Sequence, residues 1–244
     1  MIVIDNIVKS FSGNTVLNGV SLKIAQGKTR VILGLSGSGK SVLMKNVIGL
    51  LKPDSGSITV DGDEITTMSH QELLLLRRKF GMVFQQSALF DSMTVFENVA
   101  FPLKEHTKLK SDEIFELVLE KLTLVGLEDT TGMYPAELSG GMRKRVGLAR
   151  AIVLNPGCVL YDEPTTGLDP MTTHNVDAMI LEANKKLKVT SLIISHDVGS
   201  ALKVADDIAV IHQGVIVEDC PASELPQSRD PFVQEFLHKW FSKQ

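Results

Sequence analysis

Short apolar runs alternate with stretches of helical periodicity along this chain, and that alternation predicts an α/β fold. Residues 2–8 and 20–24 read as strands, and 29–33 as a buried one. Residues 41–50 follow as a helix, with Val42, Leu43, Val47 and Leu50 on or near one face. Lys52-Pro53-Asp54-Ser55-Gly56 is a stop signal. Residues 57–60 and the Asp61-Gly62 turn predict antiparallel strands, and 79–84 another apolar strand. The texture then changes. From about 87 to 155 there is no strong strand, and Ser111 is a candidate cap for a helix carrying Ile114, Leu117, Val118, Leu122 and Val125. This predicts a helical subdomain inserted into the α/β core. Residues 158–161, 191–194 and 207–211 return to strand character.

The expected organisation is one domain over 1–227, with the helical insertion at about 87–155, and a tail at 228–244. In the tail, Asp230-Pro231 is a good helix start. Phe232, Phe236 and Trp240 line one side, joined by Val233, Leu237 and Phe241. Such a helix either packs on its own domain or docks on a partner subunit.

With 244 residues the chain is long enough for a sizeable core. Its 43% apolar and 22% charged residues are ordinary for a globular protein, and its net charge of -4 argues against a general nucleic-acid binder. Arg143, Lys144, Arg145 and Arg150 are locally basic, and at helical spacing they read as a solvated face. Cys158 and Cys220 have no metal-ligand spacing and are too few for a disulfide framework. The start of the chain lacks the features of a signal peptide, and no apolar run approaches the roughly 20 residues that span a bilayer. A cytoplasmic location is expected, with any membrane span supplied by another chain.

The chemistry begins at Gly34-Leu35-Ser36-Gly37-Ser38-Gly39-Lys40-Ser41, a phosphate-binding loop between a buried strand and a helix. Its glycines let backbone amides approach phosphates, and the following helix adds its positive end. Lys40 is expected on the β- and γ-phosphates and the Ser41 hydroxyl on Mg²⁺. Many unrelated nucleotide-binding proteins carry this loop. A second glycine-rich run, Leu138-Ser139-Gly140-Gly141-Met142, narrows the field. Together the two runs resemble the ATP-binding subunits of ABC transporters, which have a P-loop core, an antiparallel β-subdomain and an inserted α-helical subdomain.

The resemblance extends over nearly the whole chain and implies further roles. Val159-Leu160-Tyr161-Asp162-Glu163 resembles a Walker B strand, with Asp162 directed to Mg²⁺ and Glu163 placed to polarise the attacking water. His196, in Ile194-Ser195-His196-Asp197, would contact the γ-phosphate and that carboxylate. Gln85 matches the glutamine that senses Mg²⁺ and water, with Gln86 as a rival. Ser139, Gly140 and Gly141 would bind the γ-phosphate held by a second copy, and Gly167-Leu168-Asp169 resembles the loop crossing that interface. Phe11 falls where the family stacks an aromatic on adenine, and a core aromatic is the alternative. The spacings agree: Lys40 precedes Ser139 by 99 residues, Ser139 precedes Asp162 by 23, and Glu163 precedes His196 by 33.

The resemblance therefore implies ATP hydrolysis with Mg²⁺, a homodimer, and a transmembrane permease holding the chain at the inner face of the cell membrane. Three runs look most like the Mla/Mkl group of MCE-linked phospholipid transporters: residues 142–150 after the signature, residues 88–95 followed by 97–103, and residues 162–170. That group adds an MCE-domain lipid-binding protein as an expected partner. Phe11 for tyrosine, Met142 for glutamine or glutamate, and Gly167 for alanine depart from the commonest pattern. Another importer or exporter cargo, such as amino acids or lipoproteins, stays open. A non-transport ABC ATPase acting on ribosomes or DNA is a weaker fit, because such proteins carry two ATPase halves or long helical insertions.

Overall fold

The computed structural model describes residues 2–242. Along the chain they form β1 (Ile2–Phe11), β2 (Asn14–Ile24), β3 (Thr29–Leu33), α1 (Lys40–Val47), β4 (Ser55–Val60), β5 (Asp63–Glu64), α2 (His70–Arg77), β6 (Phe80–Val83) and α3 (Val95–His106). Then come α4 (Ser111–Leu124), α5 (Gly140–Ile152), β7 (Cys158–Asp162), α6 (Pro170–Leu187), β8 (Thr190–Ser195), α7 (Val198–Val204), β9 (Asp207–His212), β10 (Val215–Pro221) and α8 (Pro231–Phe241). The chain divides into two compact units, one from residues up to 77 together with those from 190 onward, the other from residues 78–189.

The first unit holds an antiparallel sheet in the order β2-β1-β4-β5. Along β1 the buried positions run Ile2, Ile4, then Ile7. The one-residue slip is absorbed at Asn6, whose φ of 49° is left-handed, a conformation asparagine tolerates better than most residues. Gly56 faces this bulge so closely that a Cβ there would lie 2.3 Å from the Asn6 carbonyl oxygen.

The same unit places β10, β9, β3 and β8 side by side. The central β3 is parallel to both neighbours, and all five of its residues are buried, the pattern of a strand covered on both faces. Helix α8 packs on this unit. Asp230 caps it, accepting from the Phe232 and Val233 N–H groups at 2.9 and 3.0 Å, and His212 stacks on Phe232 at 3.7 Å. The buried residues of α8 are Val233, Phe236 and Leu237, while Phe241 is exposed. The buried residues all belong to the expected apolar face, with Phe232 and Trp240 half-buried beside them and Phe241 the one expected member that is exposed.

The second unit pairs β6 with β7 in parallel and packs α3 and α4 against α5. Val95, Val99, Leu103, Ile114, Val118, Leu122, Val146 and Leu148 supply buried side chains from these helices. Helix α3 opens with a capping box in which the Thr94 hydroxyl accepts from the Glu97 N–H and Glu97 accepts from the Thr94 N–H. Helix α4 begins at Ser111, so Ser111 is its first residue and not its cap, and Glu113 accepts from the Lys110 N–H instead.

Candidate nucleotide site

Each unit carries its own share of the expected site residues. In the first, β3 leads into the glycine-rich loop and β8 leads into His196. Leu33 pairs with Ser195 across these parallel strands, so Gly34 and His196, each one residue further on, leave the same edge of the sheet. The carboxyl edge of parallel strands is where α/β sheets bind ligands.

The loop is built for close approach. A Cβ on Gly34 would lie 2.5 Å from the Ile211 carbonyl oxygen, and one on Gly39 2.9 Å from that of Val16. Gly39 has φ 107° and precedes α1 without a side-chain cap, which leaves the first amides of the helix to other acceptors. Lys40 is buried and its Nζ donates to the carbonyls of Gly34 and Leu35 at 2.7 and 3.1 Å. The buried Ser38 Oγ has no hydrogen-bond partner among the described residues. Ser36 and Gly37 sit on the exposed rim, and Ser41 is exposed on the first turn of α1. Uncapped amides, an ammonium and an orphan hydroxyl together fit an anion with several oxygens. Phe11, at the end of β1, is 42% exposed with Lys9 Nζ 5.5 Å from its ring centroid, so it is a surface aromatic, not a core one.

In the second unit, Val83 of β6 pairs with Tyr161 of β7. Gln85 and Glu163, each two residues beyond that pair, therefore leave one common edge. Gln85 lies in a turn closed by the Ser87 N–H donating to the Phe84 carbonyl at 2.9 Å, and Gln86 is exposed beside it. Asp162 ends β7, half-buried. Ser41 and Asp162 are hard oxygen donors of the kind Mg²⁺ takes. Glu163 has a left-handed φ of 49°, and the Thr166 hydroxyl donates to its Oε2 at 3.0 Å.

Ser139 caps α5, its Oγ accepting from the Met142 N–H at 3.2 Å. Gly140 and Gly141 form the first turn beyond it, and a Cβ on Gly140 would meet nothing closer than 3.9 Å. Ser139, Gly140, Gly141, Arg145 and Asp169 line one cleft of about 830 Å³. Asp169 also caps α6, and its bonds from the Thr172 hydroxyl and N–H hold its carboxyl below the usual range.

The basic cluster departs from expectation. Arg143 donates to the Leu138 carbonyl and Arg145 to that of Val125. Arg150 donates to those of Ser87 and Ala88, and buried Lys144 to those of Pro164 and Thr166. These cations tie loops to α5, which corrects the solvated-face reading for Lys144, Arg145 and Arg150, while Arg143 is exposed. Sequence reasoning also passed over Asn98 and Thr166. For Lys144 a signal existed: it falls in the buried stripe of α5 with Gly147, Leu148 and Ile152.

A family profile described as ABC transporter matches residues 17–166. The chain is 44% identical over 235 residues, 96% of its length, to the probable ribonucleotide transport ATP-binding protein mkl of Mycobacterium tuberculosis H37Rv, and spans 66% of that relative. It is 44% identical to the methionine import ATP-binding protein MetN of Carboxydothermus hydrogenoformans, covering 100% of this chain and 73% of that one. It is 41% identical to the intermembrane phospholipid transport system ATP-binding protein MlaF of Escherichia coli K12, covering 91% and 82%. Among solved structures, the dimeric post-hydrolysis state of the ATP-binding cassette MJ0796 bound to ADP and Pi superposes with a TM-score of 0.83 at 30% identity, covering 91% of this chain and 99% of that one.

Proposed function

The chain belongs to the ABC transporter family, and from that premise we propose that it is an ATP-hydrolysing motor subunit acting as a homodimer on a separate permease. The observation that carries this reading is the paired exit of site residues: the glycine-rich loop with His196 from the ends of β3 and β8, and Gln85 with Glu163 from the ends of β6 and β7. Loop amides and Lys40 bind the phosphates. Phe11 presents a face for the adenine. Ser41 and Asp162, with Gln85, would hold Mg²⁺, which when bound would neutralise charge on the phosphates. Glu163 orients and polarises the attacking water, and His196 fixes the γ-phosphate and that carboxylate. Positioning and electrostatics of this kind supply most of phosphoryl-transfer catalysis. Ser139, Gly140 and Gly141 present a helix N-terminus to nucleotide held by the second copy, as the dimeric MJ0796 cassette makes reasonable.

The cargo we assign is phospholipid, in a system with an MCE-domain partner. It rests on the runs at 142–150, 88–103 and 162–170 and on the likeness to MlaF. The 44% identity to MetN, against 41% to MlaF, supports a second reading, in which the same motor serves a small-molecule importer. A tagged pull-down from detergent-solubilised membranes, analysed for proteins and lipids, separates them. A permease, an MCE-domain protein and phospholipid support the first reading. A permease with a soluble binding protein supports the second, and ribosomes or repair proteins would overturn the transporter reading.

A further inference from the structure

We propose that Lys144 is a positioning residue for Glu163, holding the turn that carries the carboxylate from within α5, the helix that Ser139 caps. This rests on the reading of Glu163 as the group that polarises water.

Three contacts make the tether. The Lys144 ammonium donates to the Pro164 carbonyl and, at 3.3 Å, to that of Thr166. The Thr166 hydroxyl donates at 3.0 Å to Glu163 Oε2. One side chain from α5 thus fixes the backbone on both sides of Thr165, and the residue at the end of that turn fixes the carboxylate. The left-handed φ of Glu163 sharpens the requirement. A non-glycine residue in that conformation persists only where its surroundings hold it.

The placement of Lys144 is costly, which argues against a packing role alone. The side chain is 6% exposed. It borders a void with no room for water, walled by Val83, Tyr161, Val176, Met179 and Ile180. Burial pushes the ammonium below its ordinary pKa, and the nearby Glu163 carboxylate works in the opposite direction. An apolar side chain would fill such a wall without desolvating a charge. What it would lose is the grip on the two carbonyls. Because α5 also carries the Ser139–Gly141 turn, the tether joins the segment that meets a second copy's nucleotide to the carboxylate that serves this copy's own.

The test is steady-state Mg-ATP hydrolysis by the full chain and its variants, with thermal unfolding measured alongside. Lys144→Met is expected to lower kcat about tenfold with KM for ATP within twofold of wild type, and Lys144→Arg to recover most of that loss. Thr166→Val, at the other end of the tether, is expected to lower kcat in the same way. It carries the test should Lys144→Met fail to fold. Wild-type kcat in Lys144→Met or in Thr166→Val would overturn the proposal. So would equal loss of kcat, KM and thermal midpoint in both Lys144 variants, which is the outcome of a purely structural role. Glu163→Gln separates the two levels. Undiminished turnover in it removes the reading of Glu163 itself, whereas near-zero turnover in it with wild-type kcat in Lys144→Met removes only the tether.

Discussion

The side-chain amide of Asn98 brackets Phe90, accepting its N–H at 2.8 Å and donating to its carbonyl at 3.1 Å. The same amide donates to the carbonyls of Met93 and Thr94, and the side chain is fully buried. A three-turn helix thereby dictates the path of the loop before it. Replacing Asn98 by Ala leaves several of these polar groups without a partner, each costing about 1–3 kcal/mol. We expect Asn98→Ala to lose roughly 3 kcal/mol of stability in total, read as a lowered urea midpoint. A midpoint unchanged from wild type would show that water replaces the amide.

Arg150 holds the other end of that loop. Its guanidinium donates to the Ser87 and Ala88 carbonyls at 2.6 and 2.7 Å, and both residues have left-handed φ, 61° and 44°. Its two terminal nitrogens each serve one carbonyl from a rigid planar fork, a geometry that the single ammonium of a lysine does not match at this site. Arg150→Ala and Arg150→Lys are both expected to speed amide hydrogen exchange across residues 85–90, while the Thr94–Glu97 capping box keeps α3 protected. Wild-type protection in Arg150→Lys would contradict the fork argument.

Lys40→Ala is expected to weaken ATP binding about a hundredfold, near 2.7 kcal/mol, with little change in secondary structure by circular dichroism. It removes the one ammonium at the loop and exposes two carbonyls, those of Gly34 and Leu35, to any incoming phosphate. Isothermal titration with ATP checks this. Undiminished affinity would move the phosphates away from this loop.

Cys220 gives a pH prediction. Burial, followed by the carboxylates of Glu218, Asp219 and Glu224, pushes its thiol up to about 11. The folded chain keeps this proton where the unfolded chain releases it. Stability from this group is therefore intact below the ordinary thiol range and is lost as pH rises toward 11. At pH 8 the thiolate is about a hundredfold scarcer than in a free thiol, and the greater nucleophilicity of the more basic thiolate offsets part of this, so alkylation of Cys220 in the folded chain should be slower by roughly tenfold. Peptide mapping after timed iodoacetamide treatment reads it, and labelling at the free-thiol rate would refute the shift.

The sequence showed most where a strong local pattern coincided with burial. Strand β3 has the bounds predicted for it, between the turn at Gln26-Gly27 and the glycine-rich loop that opens at Gly34. The helical texture of 87–155 returned as α3, α4 and α5 for a related reason: their buried positions recur at helical spacing. Strand β10 was missed because Val215–Pro221 is half-exposed along most of its length and lacks a clean alternation. Helix α2 was missed because its leucine run has no 3.6-residue period; only Leu76 is buried, while Leu74 and Leu75 face outward. The basic cluster misled because periodicity reports which way a side chain leaves a helix, not what a long side chain finds at its end. Lys144, Arg145 and Arg150 find carbonyls of loops up to 63 positions away in the sequence, and no local pattern announces such partners.

The most direct test of the motor reading is the mass of the Glu163→Gln chain in solution by light scattering, with Mg-ATP and with Mg-ADP. A hydrolysis-deficient subunit that traps nucleotide between two copies should have twice the single-chain mass with Mg-ATP and the single-chain mass with Mg-ADP. A single-chain mass with Mg-ATP demonstrably bound would contradict the shared site, and with it the role assigned to Ser139, Gly140 and Gly141.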